Sequence, residues 1–318
     1  MKKSRFLILL SMVLVGSWGC GQKFSPVAPA TTATQPDPTP QPTVTVAFDG
    51  AWTAGLDVRL SSPMGIAVGP GDRIYVADAA LNQLVEFDVN GTGLGEIGQT
   101  GSGNGEFSAP HGLVADGAGN LYVADSGNAR VQELDPRGRF EAVMDSTGSA
   151  GASLTYPLGV ALAADGNLDV SDISHQVWEV NASSVQDQWG VSGATQGKFS
   201  YPMGMVSDAS GDIFVADYQA NVVYKFNPTQ GTIASFGSVS LNHPSDVKID
   251  SKGDVLVADS GNNRIVVFDA QGNYLGSFGN TGTASEQLNS PLFMAFDSTG
   301  ALYVSDNGNG RVVKYTLN

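Results

Sequence analysis

Short apolar runs, each bounded by Gly, Asp or Asn, set the rhythm of this chain. GIAV from Gly65 leads through a Gly-centred turn to IYVAD, and after a further polar turn comes an alternating run of the kind seen in RIVVFD. Runs of four to six β-branched and apolar residues with such punctuation predict strands. A weaker fourth run follows in segments such as TIASFG and YLGSFG. Beyond the first twenty residues no stretch sustains a helical period.

The pattern is a repeat. SPMGIAVGPGDRIYVAD from Ser62 returns in altered form from Ala109, Tyr156, Tyr201, His243 and Ser290. Pro63, Pro110, Pro157, Pro202, Pro244 and Pro291 are spaced by 47, 47, 45, 42 and 47 residues, and Asp78, Asp125, Asp172, Asp217, Asp259 and Asp306 keep the same steps. Gly71, Gly119, Gly166, Gly211, Gly253 and Gly300 mark the first hairpin of each unit. Four antiparallel strands in each of six units predict an all-β, six-bladed β-propeller.

PxG, YVAD and SGNNRIVVFD followed by GSFG resemble the NHL-repeat family of propellers, over residues 62 to 318. The resemblance implies architecture far more than activity. The last unit is short: from Pro291 only 28 residues remain, and its fourth strand is missing. Residues around Thr45 to Trp52 are therefore expected to complete the sixth blade and close the ring, removing an exposed sheet edge.

The N-terminus carries a separate message. Lys2, Lys3 and Arg5 precede the apolar run FLILLSMVLVGSWG, so residues 1–19 read as an export signal. VGSWGC resembles the lipobox of bacterial lipoproteins, in which the cysteine becomes the lipidated first residue. Gly19 fits it, whereas Ser17 and Trp18 depart from the usual Leu and small residue; ordinary cleavage after Gly19 is the alternative. That the only cysteine, Cys20, falls on this position favours lipidation. Gly21 after it, rather than Asp, leans toward the outer membrane. Residues 20–42 then form a Pro/Thr-rich linker, and 43–318 the propeller.

Charge narrows the partners. Without the leader's three basic residues, 13 basic side chains face 31 acidic ones, a net charge of −18. Such a chain is repelled by phosphate backbones, so nucleic acid is not expected, and contact with the membrane is expected through the lipid anchor alone. A protein or peptide partner and a monomeric state are the expectation.

Candidate chemistry lies where the repeat is broken. The six aspartates are expected to brace turns, as Asp does in Asx-turns, with Asn128, Asn262, Asn309, Arg130, Arg264 and Arg311 as further parts of those turns. The column after the prolines holds Met64, His111, Leu158, Met203, Ser245 and Leu292, with Phe293 and Tyr218 nearby. These form either a partner-binding ring at the channel mouth or packing between blades. In a related amidating lyase acting on peptidyl-hydroxyglycine, histidines of this column hold zinc. Here His111 stands alone in it, short of the three or four ligands zinc needs, and His175 and His243 lie on other blades.

No metal ligand set and no catalytic residue is therefore expected, although Ca²⁺ in the acidic channel stays open. DSGNNR lacks the carboxylates of an EF-hand, and GLGEIG, a formal GxGxxG, has no helix after it. The leading expectation is a tethered binding or scaffolding module. The alternative is a divalent-metal propeller enzyme, a lyase or a lactonase-like hydrolase.

Overall fold

A computed structural model describes residues 45–317, apart from 56–57, 145–153, 164, 182–184, 191–198, 229–231 and 238. Residues 1–44, which include the expected export signal, Cys20 and the expected linker, lie outside the described residues. Six four-stranded antiparallel sheets follow one another along the chain. Blade one comprises Pro63–Gly69, Arg73–Asp78, Gln83–Phe87 and Gly93–Ile97. Blades two to five repeat that order from Pro110, Pro157, Pro202 and Pro244.

Blade six is assembled from both ends of the chain. Pro291–Phe296, Ala301–Asp306 and Arg311–Leu317 supply three strands, and Val46–Trp52 pairs antiparallel with Arg311–Leu317 as the fourth. The closing strand predicted around Thr45 to Trp52 is thus in place. Trp52 packs against Tyr303 of blade six, with ring centroids 5.4 Å apart, and Phe87 of blade one, at 6.2 Å. The same strand therefore seals a seam between two blades.

The first strands of successive blades lie side by side around a central channel, and that of blade six returns to blade one. Their prolines mark one end of the channel, and the first hairpins mark the other. The hairpin glycines all adopt positive φ, from 72° at Gly71 to 93° at Gly119, as a tight turn requires. Close approach in the ring depends on a second glycine column. A Cβ on Gly65 would lie 2.1 Å from the His111 carbonyl oxygen, and on Gly159 2.2 Å from that of Met203. No side chain fits there, so neighbouring backbones touch.

Each blade is fastened by its buried aspartate, and the fastening reaches further than the turn expected of it. Asp78 accepts the N–H of Ser61 at 2.6 Å and those of Ala80 and Leu81 at 3.0 and 3.1 Å. It thereby joins the turn after its strand to the loop 16 to 17 residues upstream that enters the channel. Asp172 and Asp217 do the same through Thr155, Tyr156 and Ser174, and through Ser200, Tyr201 and Ala220.

In blades two, five and six the clasp is ionic. Asp306 accepts the Asn289 N–H at 2.6 Å, Asn309 Nδ2 at 2.7 Å and Arg311 Nε at 2.7 Å. Arg311 then donates to the Ala284 and Gln287 carbonyls of the entry loop. Asp125 with Arg130 and Asp259 with Arg264 repeat the arrangement, each followed by a 3-10 turn, Ser126–Asn128 or Ser260–Asn262.

These carboxylates are fully buried, and removing Asp306 strands the buried Arg311 guanidinium. Asp306→Ala is expected to lower the unfolding free energy by about 3–5 kcal/mol. Denaturant melts against wild type measure it, and a loss below about 1 kcal/mol contradicts the clasp.

Candidate functional site

At the proline end every first strand carries an irregularity between the proline and the third or fourth residue. Such bulges re-aim the side chains beside them. The residues so affected form one apolar cluster across the channel: Met64, Leu158, Met203, Leu292 and Phe293, all buried. Four blades meet in this plug. The candidate ring is therefore covered rather than presented, and packing between blades accounts for its apolar members.

His111 and Ser245 fill the remaining places in the column by a shared device. His111 is 8% exposed, with Nδ1 3.0 Å from the Ala109 carbonyl and 3.1 Å from Ser126 Oγ. A carbonyl only accepts, so Nδ1 carries the hydrogen. Ser126 in turn donates to the Pro157 carbonyl of blade three. Ser245, fully buried, contacts Ser260, which donates to the Pro291 carbonyl of blade six. Asn307 reaches the Pro63 carbonyl of blade one at 3.1 Å. Three blades thus latch onto the next by a polar residue directly after the clasping aspartate. Burial pushes the His111 imidazole down, so it is held neutral inside this latch.

Over the plug lies an aromatic arc. Tyr156, Tyr201 and Tyr218 are half-buried and pack on the apolar cluster. Tyr156 meets His111 edge-on at 5.4 Å, Tyr201 meets Tyr218 at 5.9 Å, and Tyr218 lies against the half-buried His243 at 4.5 Å. Burial raises all three phenols, and the neighbouring Tyr201 adds to the rise at Tyr156 and Tyr218. His175, exposed, places its Nδ1 on the Ser200 carbonyl instead. The three histidines have separate partners. Among the described residues, no three His, Cys, Asp or Glu side chains are placed to share a metal ion.

Two further breaks in the repeat escaped the sequence reading. Asp246 occupies the column of Gly65, Gly112, Gly159 and Gly204. It is fully buried, accepts the Met294 N–H at 2.8 Å and pairs with Lys248 Nζ at 2.7 Å. Asp169 stands in a column otherwise held by Tyr75, Tyr122, Phe214, Leu256 and Tyr303. Its Oδ2 accepts the Ser207 hydroxyl at 2.9 Å, while Oδ1 is buried with no partner among the described residues. Position-by-position comparison of the repeats is the signal in the sequence that would have marked both.

The profile of the NHL repeat matches residues 107–134, 241–268 and 288–315. The chain carries NHL repeats. The matched segments span blades two, five and six, where the aspartate clasp is ionic. The propeller is similar to solved structures of a streptogramin B lyase and of virginiamycin B lyase from Staphylococcus aureus. The first shares 13% identity over 86% of this chain and 98% of that one, with a TM-score of 0.62. The second shares 14% over 86% and 100%, with a TM-score of 0.61. A gluconolactonase from Xanthomonas campestris shares 15% over 88% and 99%, with a TM-score of 0.65. At these identities the likeness is one of fold. No curated protein matches the chain.

Asp169 gives the propeller a pH signature. Burial chiefly, with the negative charges of Glu179 and Asp165 and against the Ser207 hydroxyl, pushes its carboxyl up to about 7. In the unfolded chain an aspartate titrates near 3.9. Between those values the folded protein holds a proton that the unfolded chain has lost, so this group's contribution to stability falls as pH rises and levels off above 7. Asp169→Asn is expected to melt like wild type near pH 4 and above it at pH 8. Parallel melting curves at both pH values would refute the assignment.

Proposed function

We propose that this protein is an exported, lipid-anchored NHL propeller that binds a protein or peptide through its proline-end face. The observation that carries the reading is the aromatic arc of Tyr156, Tyr201, Tyr218 and His243 on blades three to five. Tyr156, Tyr201 and His243 precede the blade prolines, where the other blades have Ser62, Ala109 and Ser290. Half-buried tyrosines offer large, stiff contact area with a polar tip, a combination enriched at interfaces. Met64, Leu158, Met203, Leu292 and Phe293 back the arc, and His111 and Ser245 hold adjoining blades together beneath it.

The test is crosslinking of the full chain in envelope fractions. Tyr201→Ala with Tyr218→Ala is expected to reduce specific crosslinks at least about tenfold, since two hot-spot tyrosines contribute more than about 1 kcal/mol each. Unchanged crosslinks in a protein that still melts cooperatively defeat the reading. Anchoring is tested apart from binding: Cys20→Ser is expected to move the protein from the membrane to the soluble fraction. Retention of the variant with membranes overturns lipidation at that residue.

A divalent-metal enzyme, lyase or lactonase-like, is the second reading. It is supported by the fold shared with the streptogramin B lyase and the gluconolactonase.

A further inference from the structure

Beneath the plug, toward the hairpin end, the channel widens into a cavity of about 270 Å³ walled by the first strands of all six blades. Most of that wall is hydrocarbon, including Ile66, Leu162, Phe293 and Phe296. Among the third to sixth residues of the six first strands, Asp246 and Lys248 alone are charged. At the fifth place Lys248 stands where the other blades have Ala67, Val114, Ala161, Val206 and Ala295.

The two partners differ in what they leave open. Asp246 is fully buried, with its oxygens committed to Lys248 at 2.7 and 2.8 Å and to the Met294 N–H at 2.8 Å. Lys248 Nζ also lies 3.1 Å from the Val247 carbonyl and 3.3 Å from that of Met205, yet 23% of the side chain remains accessible. Apolar residues of the same shape often stabilise a fold as well as a buried ion pair does, so stability alone is a weak reason for the pair. An apolar cavity with one placed polar group is the usual form of a small-molecule site.

We propose that this cavity binds a small monocarboxylate with a short apolar tail, its carboxylate seated on Lys248 Nζ. An ammonium only donates, so the group it takes must accept, and an anion gains most from the charge. A cationic ligand finds no free carboxylate in the wall, because the Asp246 oxygens are taken. Size sets the tail length. The cavity holds the volume of about nine waters and lies just under the roughly 300 Å³ at which drug-sized sites begin. The site faces the hairpin end and is independent of the aromatic arc.

Isothermal titration of the full chain with hexanoate, and with hexylamine as the opposite charge, tests the proposal. Wild type is expected to bind hexanoate saturably and hexylamine not at all. Lys248→Met weakens hexanoate binding at least about tenfold, as loss of a hydrogen bond to a charged group does. Asp246→Asn tightens it by removing the competing anion. Ala115→Phe fills the cavity wall without touching the pair and abolishes binding, which decides the matter if Lys248→Met does not fold. No saturable hexanoate binding by wild type, equal affinity for both charges, or unchanged binding by folded Lys248→Met or Ala115→Phe overturns it.

Discussion

A carboxylate taken out of water must have every lone pair occupied, and this propeller applies that constraint once per blade. Each clasping aspartate is fully buried, at the point where the second strand ends. It is satisfied by N–H groups from a loop 16 to 17 residues earlier as well as from its own turn. The loop that delivers the chain to the channel is thus held by the strand beside it. Without that bond the entry loops would carry unsatisfied backbone amides at the rim of the core. The proline, the bulge and the plug all sit on loops held in this way.

Much of the architecture was legible in the sequence because the ring writes the same requirement six times. The number of blades, the hairpin glycines and the strand contributed by residues 46–52 follow from periodicity and from the missing end of the last repeat. The reach of the aspartates was only partly legible. Local turn chemistry looks two to four residues ahead, and it finds Ala80 and Leu81 but not Ser61. The burial of Met64, Leu158, Met203 and Leu292 depends on how the bulges turn them and on what the opposite blades supply. One repeat read alone carries no such information. Asp246 and Asp169 were visible as substitutions within their columns, but the partners that give them meaning, Lys248 with Met294 and Ser207, come from packing.

The two chemical versions of the clasp divide the ring. Blades two, five and six spend an arginine, an asparagine and a 3-10 turn on it, and the same blades latch forward through Ser126, Ser260 or Asn307. Blades one, three and four use backbone donors and leave the following position to Ala79, Ile173 or Tyr218. Two members of the aromatic arc, Tyr201 and Tyr218, belong to this less constrained group, and Tyr156 does as well. Variation is tolerated where the turn does not need a particular side chain after the aspartate, so individuality gathers on blades three and four. The channel interior varies elsewhere: Asp246 and Phe293 replace the close-approach glycine in blades five and six.

The pairing of Val46–Trp52 with Arg311–Leu317 has a consequence in time. Its two strands lie almost the full length of the domain apart, so the contact carries the largest loop-closure entropy in the fold. The other blades are each built from one continuous stretch and can form as their residues become available. The first strand of the domain must wait for the last, keeping its edge unpaired until the final seven strand residues arrive. Closure is then an all-or-nothing report that the whole ring has been made, and a chain cut short anywhere before Leu317 lacks the strand that would complete it.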